Sequence, residues 1–222
     1  MRQILLNASQ RDEVRLAIIE NKNLVALDID LPTKNIKSNI YKGIISRVEP
    51  GLEAAFVNFG RTRHGFLPFK EIASDIFTQG KSRSSRDCIE SGKEIIVQVD
   101  KEERGNKGAA LTTYITLAGC YLVLMPNSPH SGGISRRIEG DERDELKDTL
   151  NSLKMNEDMG IIIRTAGVGK GQDELQSDLD MLCNQWQAIK QAYQNQQAPS
   201  LIHQEGDVII RSIRDNLRKT IN

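Results

Sequence analysis

All five phenylalanines of this 222-residue sequence, Phe56, Phe59, Phe66, Phe69 and Phe77, fall inside one window. Lys42, Arg47, Arg61, Arg63, His64 and Lys70 are interleaved with them. Ring faces beside cations suit a single-stranded nucleic acid, whose bases stack for about 1–3 kcal/mol each while the cations track phosphates. The other use of such rings is a barrel core, which is the reading for Phe69 and Phe77. Period-two alternation sets Phe56 opposite in face to Val57 and on the same face as Asn58. Phe56 and, on the neighbouring strand, Phe66 are therefore the candidate stacking platform, with core as the alternative. A charged hairpin, residues 100–108, closes through Gly105 and Gly108 and carries Lys107 at its tip. That lysine either reaches a phosphate or is simply a solvated turn residue.

A second group of candidates lies further along. The stretch Arg164-Thr165-Ala166-Gly167-Val168-Gly169-Lys170 invites a P-loop reading and fails it. The motif needs Gly where Arg164 stands and Ser or Thr where Gly171 stands. What remains is a guanidinium fork and a hydroxyl at a strand's end, followed by a glycine-freed backbone that suits a terminal phosphate. Arg136-Arg137, after Gly132-Gly133-Ile134-Ser135, is a second basic pair. Both segments could equally be structural ion-pair sites. Asp28, Asp30 and Asp215 are not fixed near one another by spacing, and His64, His130 and His203 lack metal-ligand spacing. The sequence thus assigns no catalytic residue and no metal ligand.

The elements that position these residues follow from composition and pattern. Thirty Lys+Arg balance thirty Asp+Glu, and 38% of residues are hydrophobic, enough for a core. Net neutrality excludes a grossly basic nucleic-acid binder but not a basic face. The sequence holds no apolar run of membrane-span length and no signal-peptide core. Cys88, Cys120 and Cys183 form no Cys-x-x-Cys pair, which speaks for a reducing, cytoplasmic setting. Short apolar runs at residues 4–6, 14–19 and 24–29 predict a β-meander. Five runs, at 41–48, 53–59, 64–68, 92–99 and 109–117, predict an OB-type five-stranded β-barrel with a loop over 78–92. Beyond Gly119 a mixed α/β pattern follows, with a strand at 121–125, a helix opened by Gly140-Asp141-Glu142 and a strand at 160–164. Asp173 is the expected cap of a long helix striped by Leu175, Leu179, Leu182, Trp186, Ile189 and Tyr193. Val208-Ile209-Ile210 reads as a strand, with an amphipathic helix over 212–221. Neither terminal segment closes a core alone, so the two ends are expected to share one incomplete domain.

Several segments together resemble the bacterial ribonuclease E/G family, the ribonuclease E branch being the nearer. They are residues 39–43, 52–57, 63–68, 101–108, 132–140 and 164–167, in family order across essentially the whole chain. The resemblance implies an α+β chain in which the barrel and a mixed α/β 5′-sensor domain are inserted in an incomplete ribonuclease-H-like domain. Its expected divisions are 1–35 and 201–222 for that split domain, 38–118 for the barrel and 119–200 for the sensor. The implied activity is single-strand-preferring endoribonuclease cleavage in RNA decay and in processing of ribosomal and transfer RNA precursors. By matching segment, Phe56, Phe66 and Lys107 would contact RNA. Arg164 and Thr165 would grip a 5′ monophosphate, Gly119 and Val123 would line that pocket, and Arg136 would support it. The family's magnesium-binding carboxylates, zinc-sharing cysteines and oligomerisation region come later in the family pattern. No cofactor is therefore expected in this chain, nor the family's homotetramer, and RNA cleavage is not expected of it. Family members work in the cytoplasm and associate with the inner membrane face. A stand-alone RNA-binding module or decoy is the alternative, and a nucleotide hydrolase through the 167–170 loop a distant third.

Overall fold

The computed structural model describes residues 2–10, 13–31, 35–73, 89–129, 131–156, 158–206 and 208–216. The chain divides into two units, residues 1–36 with 205–222, and residues 37–204. In the first unit β1 (Arg2–Gln10), β2 (Glu13–Glu20) and β3 (Asn23–Asp30) form an antiparallel meander with β2 central. Asn21 and Lys22 adopt positive φ (50° and 69°), the twist a two-residue hairpin requires. Val14, Leu16 and Ile18 alternate inward on β2, while Leu5, Leu24, Val25, Leu27 and Ile29 are exposed.

The barrel is built from β4 (Ile40–Glu49), β5 (Ala54–Asn58), β6 (Gly65–Pro68), β7 (Glu94–Lys101) and β8 (Ala110–Thr112). The order is β4-β5-β6-β8-β7, and β7 pairs back onto β4, so the sheet closes. Closure pairs the five strands around the barrel, except where the first residues of β4 run past β5, and gives the interior to Ile45, Val57, Leu67, Val97, Val99 and Leu111. The expected strand 109–117 is split in two. The Thr112 hydroxyl accepts the Tyr114 N–H and the Asn127 side chain accepts the Ile115 N–H, at 3.1 Å each, so side chains take the donors a ladder would use. Residues 74–88, which include Phe77, Cys88 and most of the expected loop, lie outside the described residues.

The second sheet contains β9 (Leu117–Ala118), β10 (Leu122–Met125), β11 (Gly133–Ile134) and β12 (Gly160–Ile163), in the order β11-β12-β10-β9. Helix α1 (Asp141–Ser152) packs beside β11, and α2 (Gln172–Asn195) packs on β10. The predicted stripe is the buried face: Leu175, Leu179, Leu182, Trp186 and Ile189 cluster with Leu122, Leu124, Ile161 and Ile163. The cap differs from expectation. Gly171 is the N-cap, its N–H donates to Glu174 at 3.3 Å, and Asp173 stands in the first turn, where the helix dipole favours it.

After a cis Ala198–Pro199 bond, β13 (Ser200–His203) pairs with β4 and joins the barrel sheet, an element the sequence reading missed. Ile40 of β4 sits in the core of the second sheet, so the two layers share apolar contacts. Val208–Asn216 is helical, α3, correcting the expected strand at 208–210. Three β-branched residues favour a strand only weakly, and here the helix seats against β2 and β3 within the first unit. Arg214 ties it to Glu205 at 2.7 Å.

Candidate nucleic-acid interface

Phe56 and Phe66 face each other across the β5–β6 register, both half-buried on the outer barrel face. Their rings meet edge to face, with centroids 5.9 Å apart and planes at 66°. Arg47, the register partner of Phe56 on β4, holds its guanidinium 4.9 Å from the Phe56 ring centroid and 2.9 Å from Glu49. The cation is thus stacked on one ring and stays exposed. Val57 and Leu67 point inward on the same strands, so alternation alone turns the two rings outward.

The charged hairpin is brought to the same place. Arg104 and Lys107 exchange both backbone N–H bonds (3.2 and 3.1 Å) around Gly105 at φ +58°. Arg63 donates to the Gly105 carbonyl at 2.5 Å, and Phe66 N–H donates to the Ala109 carbonyl at 2.8 Å. Gly108 approaches so closely that a Cβ there would lie 2.2 Å from the His64 carbonyl oxygen. These contacts pin the hairpin beside Phe66 and leave Lys107 exposed. The His64 ring nitrogen Nδ1 lies 2.8 Å from the Ser46 hydroxyl.

Other aromatic and basic candidates separate from this face. Phe69 is buried, as read from the sequence. Phe59 is only 1% exposed and packs against Tyr41, edge to face at 5.1 Å. It shares the inward face of Val57, two residues away. Lys42 is also withdrawn. Its ammonium contacts the Gln196 carbonyl (2.9 Å), Glu94 (2.8 Å) and the Tyr193 ring (4.9 Å).

The second group converges where β10 begins and β12 ends. Arg164 follows β12, and its N–H donates to the Tyr121 carbonyl at 2.8 Å. Its Nη1 donates to the Gly119 carbonyl at 2.5 Å and reaches the Cys120 carbonyl at 3.5 Å. Thr165, itself exposed, opens a 3-10 turn, Thr165–Gly167. Val123 pairs with Ile162 and Ala118 on the sheet face opposite the core, half-buried. Arg136 follows β11, whose register partner is β12, and it is exposed. Its chain neighbour Ser135 donates its N–H to the Ile163 carbonyl at 2.8 Å.

Two residues here escaped the sequence reading. Arg143 on α1 donates to the carbonyls of Ile134, Ser135 and Ile138, holding the loop that carries Arg136. Asp178 on α2 accepts the N–H groups of Cys120, Tyr121 and Leu122. Its signal was present, since it stands on the apolar stripe between Leu175 and Leu182. The lysine of the glycine-rich loop, Lys170, reaches Glu174 at 2.7 Å and lies 4.9 Å from the Tyr121 ring centroid. Hydrogen bonding to Glu174, then to Tyr121, raises its pKa above the usual lysine value.

Among the described residues no group of three His, Cys, Asp or Glu comes together around a possible ion. Asp28 is exposed on β3, while the side chains of Asp30 and Asp215 and all of His130 lie outside the described residues. Among the described residues no helix is long and apolar enough to cross a membrane.

A closed five-stranded barrel bearing paired aromatics, followed by a mixed sheet, is matched by two family models. Residues 34–113 match the S1 RNA binding domain, and residues 116–222 match the Ribonuclease E/G family. Ribonuclease E of Haemophilus influenzae is 59% identical over the whole chain, which covers 24% of that protein. Ribonuclease E of Escherichia coli is 56% identical, again over the whole chain and 21% of its own length. Ribonuclease G of Haemophilus influenzae is 35% identical over 96% of the chain and 45% of that protein. The chain belongs to the ribonuclease E/G family and corresponds to the N-terminal part of its ribonuclease E members. It spans about a quarter of the length of those relatives.

Proposed function

We propose that this chain is the RNA-recognition part of an endoribonuclease of RNA decay and of ribosomal and transfer RNA processing. In this reading Phe56 and Phe66 stack bases of single-stranded RNA and Lys107 holds a neighbouring phosphate. Arg164 and Thr165 receive a 5′ monophosphate, with Gly119 and Val123 lining the niche and Arg136 beside it. The protein works in the cytoplasm, where such transcripts are. The observation that carries the reading is the convergence of two outward rings, Arg47 and the Lys107 hairpin on one face of the barrel. Stacking supplies affinity without sequence preference, and the cations follow the backbone.

The niche supplies the end preference. A guanidinium whose Nη1 is committed to the Gly119 carbonyl has its plane fixed, and a planar fork in a fixed orientation suits the oxygens of a terminal phosphate. The Thr165 hydroxyl adds a donor at the same strand end. Recognition rather than bond cleavage is assigned to these residues. Magnesium-dependent cuts by the purified chain in single-stranded RNA would overturn that assignment.

Binding to matched oligonucleotides tests both surfaces. The chain should bind a 5′-monophosphorylated single strand more tightly than its 5′-hydroxyl twin, and either more tightly than the duplex. Equal affinity for single strand and duplex would remove the platform from the reading.

A further inference from the structure

Asp178 sits in the middle of α2, on its apolar face, and is 7% exposed. A carboxylate so placed is costly unless donors converge on it. Three backbone N–H groups do. Cys120 donates to Oδ1 at 3.0 Å, and Tyr121 and Leu122 donate to Oδ2 at 2.8 and 2.9 Å. Cys120 and Tyr121 lie in the connection between β9 and β10, and Leu122, which closes that turn, opens β10.

That turn has another side. With its N–H groups aimed at the helix, its carbonyls face away, and these carbonyls hold Arg164. Gly119 and Cys120 accept from the Arg164 Nη1, and Tyr121 accepts from its backbone N–H. Gly119 N–H closes the turn onto the Leu122 carbonyl at 2.8 Å. The fit is tight, because a Cβ on Gly119 would lie 2.5 Å from the Asp178 Oδ2.

We infer that Asp178 is a positioning residue of the terminal-phosphate niche, acting through the Gly119–Leu122 turn to fix the guanidinium of Arg164. The inference rests on the reading of Arg164 and Thr165 given above. A carboxylate is the group this geometry asks for. Two oxygens offer about four lone-pair sites, whereas an amide offers one oxygen and turns an NH2 toward at least one donor. The anion inside the protein therefore does not compete for the niche. It spends its charge on the turn's N–H groups, and the carbonyls of the same turn hold the guanidinium.

Asp178→Asn tests this in the full chain, with a 5′-monophosphate oligonucleotide and its 5′-hydroxyl twin as probes. The monophosphate-over-hydroxyl affinity ratio should fall on the order of tenfold, toward that of Arg164→Ala, as expected when buried donors lose a partner. Affinity for the hydroxyl-ended strand should stay at the wild-type level. Arg164→Ala combined with Asp178→Asn should be no worse than Arg164→Ala alone, because both changes act through one guanidinium. Leu179→Ala, on the same helix, controls for stability: it should lower the melting midpoint and, measured well below it, keep the ratio. A folded Asp178→Asn protein with the wild-type ratio, beside an Arg164→Ala protein that loses it, overturns this inference and spares the niche. An Arg164→Ala protein that keeps the ratio overturns the niche reading itself. Should Asp178→Asn fail to fold, Gly119→Ala displaces the same turn while leaving the carboxylate. The ratio must then fall, and an unchanged ratio refutes the inference.

Discussion

Phe56 and Phe66 lean on each other and on Arg47, and the barrel interior is filled without them by Val57, Leu67 and Leu111. Arg164 stands otherwise: its guanidinium is held by carbonyls, which belong to a turn held by Asp178, which is carried by a helix held by Leu175, Leu179 and Leu182. The first surface is a set of side chains added to a finished scaffold. The second is the last link of a chain of dependencies running into a hydrophobic core. The difference teaches that changes on the platform should stay local to the residues that touch, whereas changes at Asp178, the Gly119–Leu122 turn and Arg164 should act as one unit.

The largest effect that would sharpen this contrast is on stability. Leu179→Ala removes a fully buried side chain beneath the second sheet and should cost about 2–5 kcal/mol, read from a urea titration. Phe56→Ala empties no core, so its urea midpoint should move little. Arg164→Ala comes next, with an expected loss of about 1.5–3 kcal/mol in binding 5′-monophosphorylated over 5′-hydroxyl ends, the worth of a charged hydrogen-bond partner. Competition between the two oligonucleotides measures it directly. Phe56→Ala should weaken any single strand by about 1–3 kcal/mol in fluorescence anisotropy, whatever its 5′ end. Because the two rings touch, the double change with Phe66→Ala should fall short of the sum. Lys107→Ala is the mildest. It should lower the slope of log affinity against log salt by about one and leave the end preference alone. If Phe56→Ala changed the end preference as much as Arg164→Ala, the contrast between the two surfaces would break.

The barrel was legible because its pattern is local. Alternation over residues 54–58 turns Val57 in and Phe56 out, and the same rule applied to Phe59 would have placed it inside. The α2 stripe was equally plain at intervals of three and four. What stayed hidden depends on partners far away in sequence. Ser200–His203 is four residues long with no alternation to betray it, and it becomes a strand only because β4 offers an edge. The run 208–210 looked like a strand by residue type and is drawn into a helix by packing on β2 and β3. Arg164 was visible as a candidate, but its carbonyl cradle was not, since Gly119 and Asp178 lie 45 and 14 residues from it. Lys42 shows the reverse error. Sequence proximity to the aromatics suggested RNA, and packing gives it to Tyr193, Glu94 and Gln196 instead.

The return of the chain through Ser200–His203 onto β4 closes a loop between the barrel and the second sheet, and the buried Lys42 ammonium fastens the end of α2 to the same strand. Two ties that meet on one strand, at Lys42, restrain the swing of one layer against the other. A polynucleotide gripped at its tip and along its body would then span an interval set by protein rather than by its own suppleness. In the function proposed above, such a pairing would serve as a caliper and favour molecules whose first unpaired stretch is long enough to bridge the jaws.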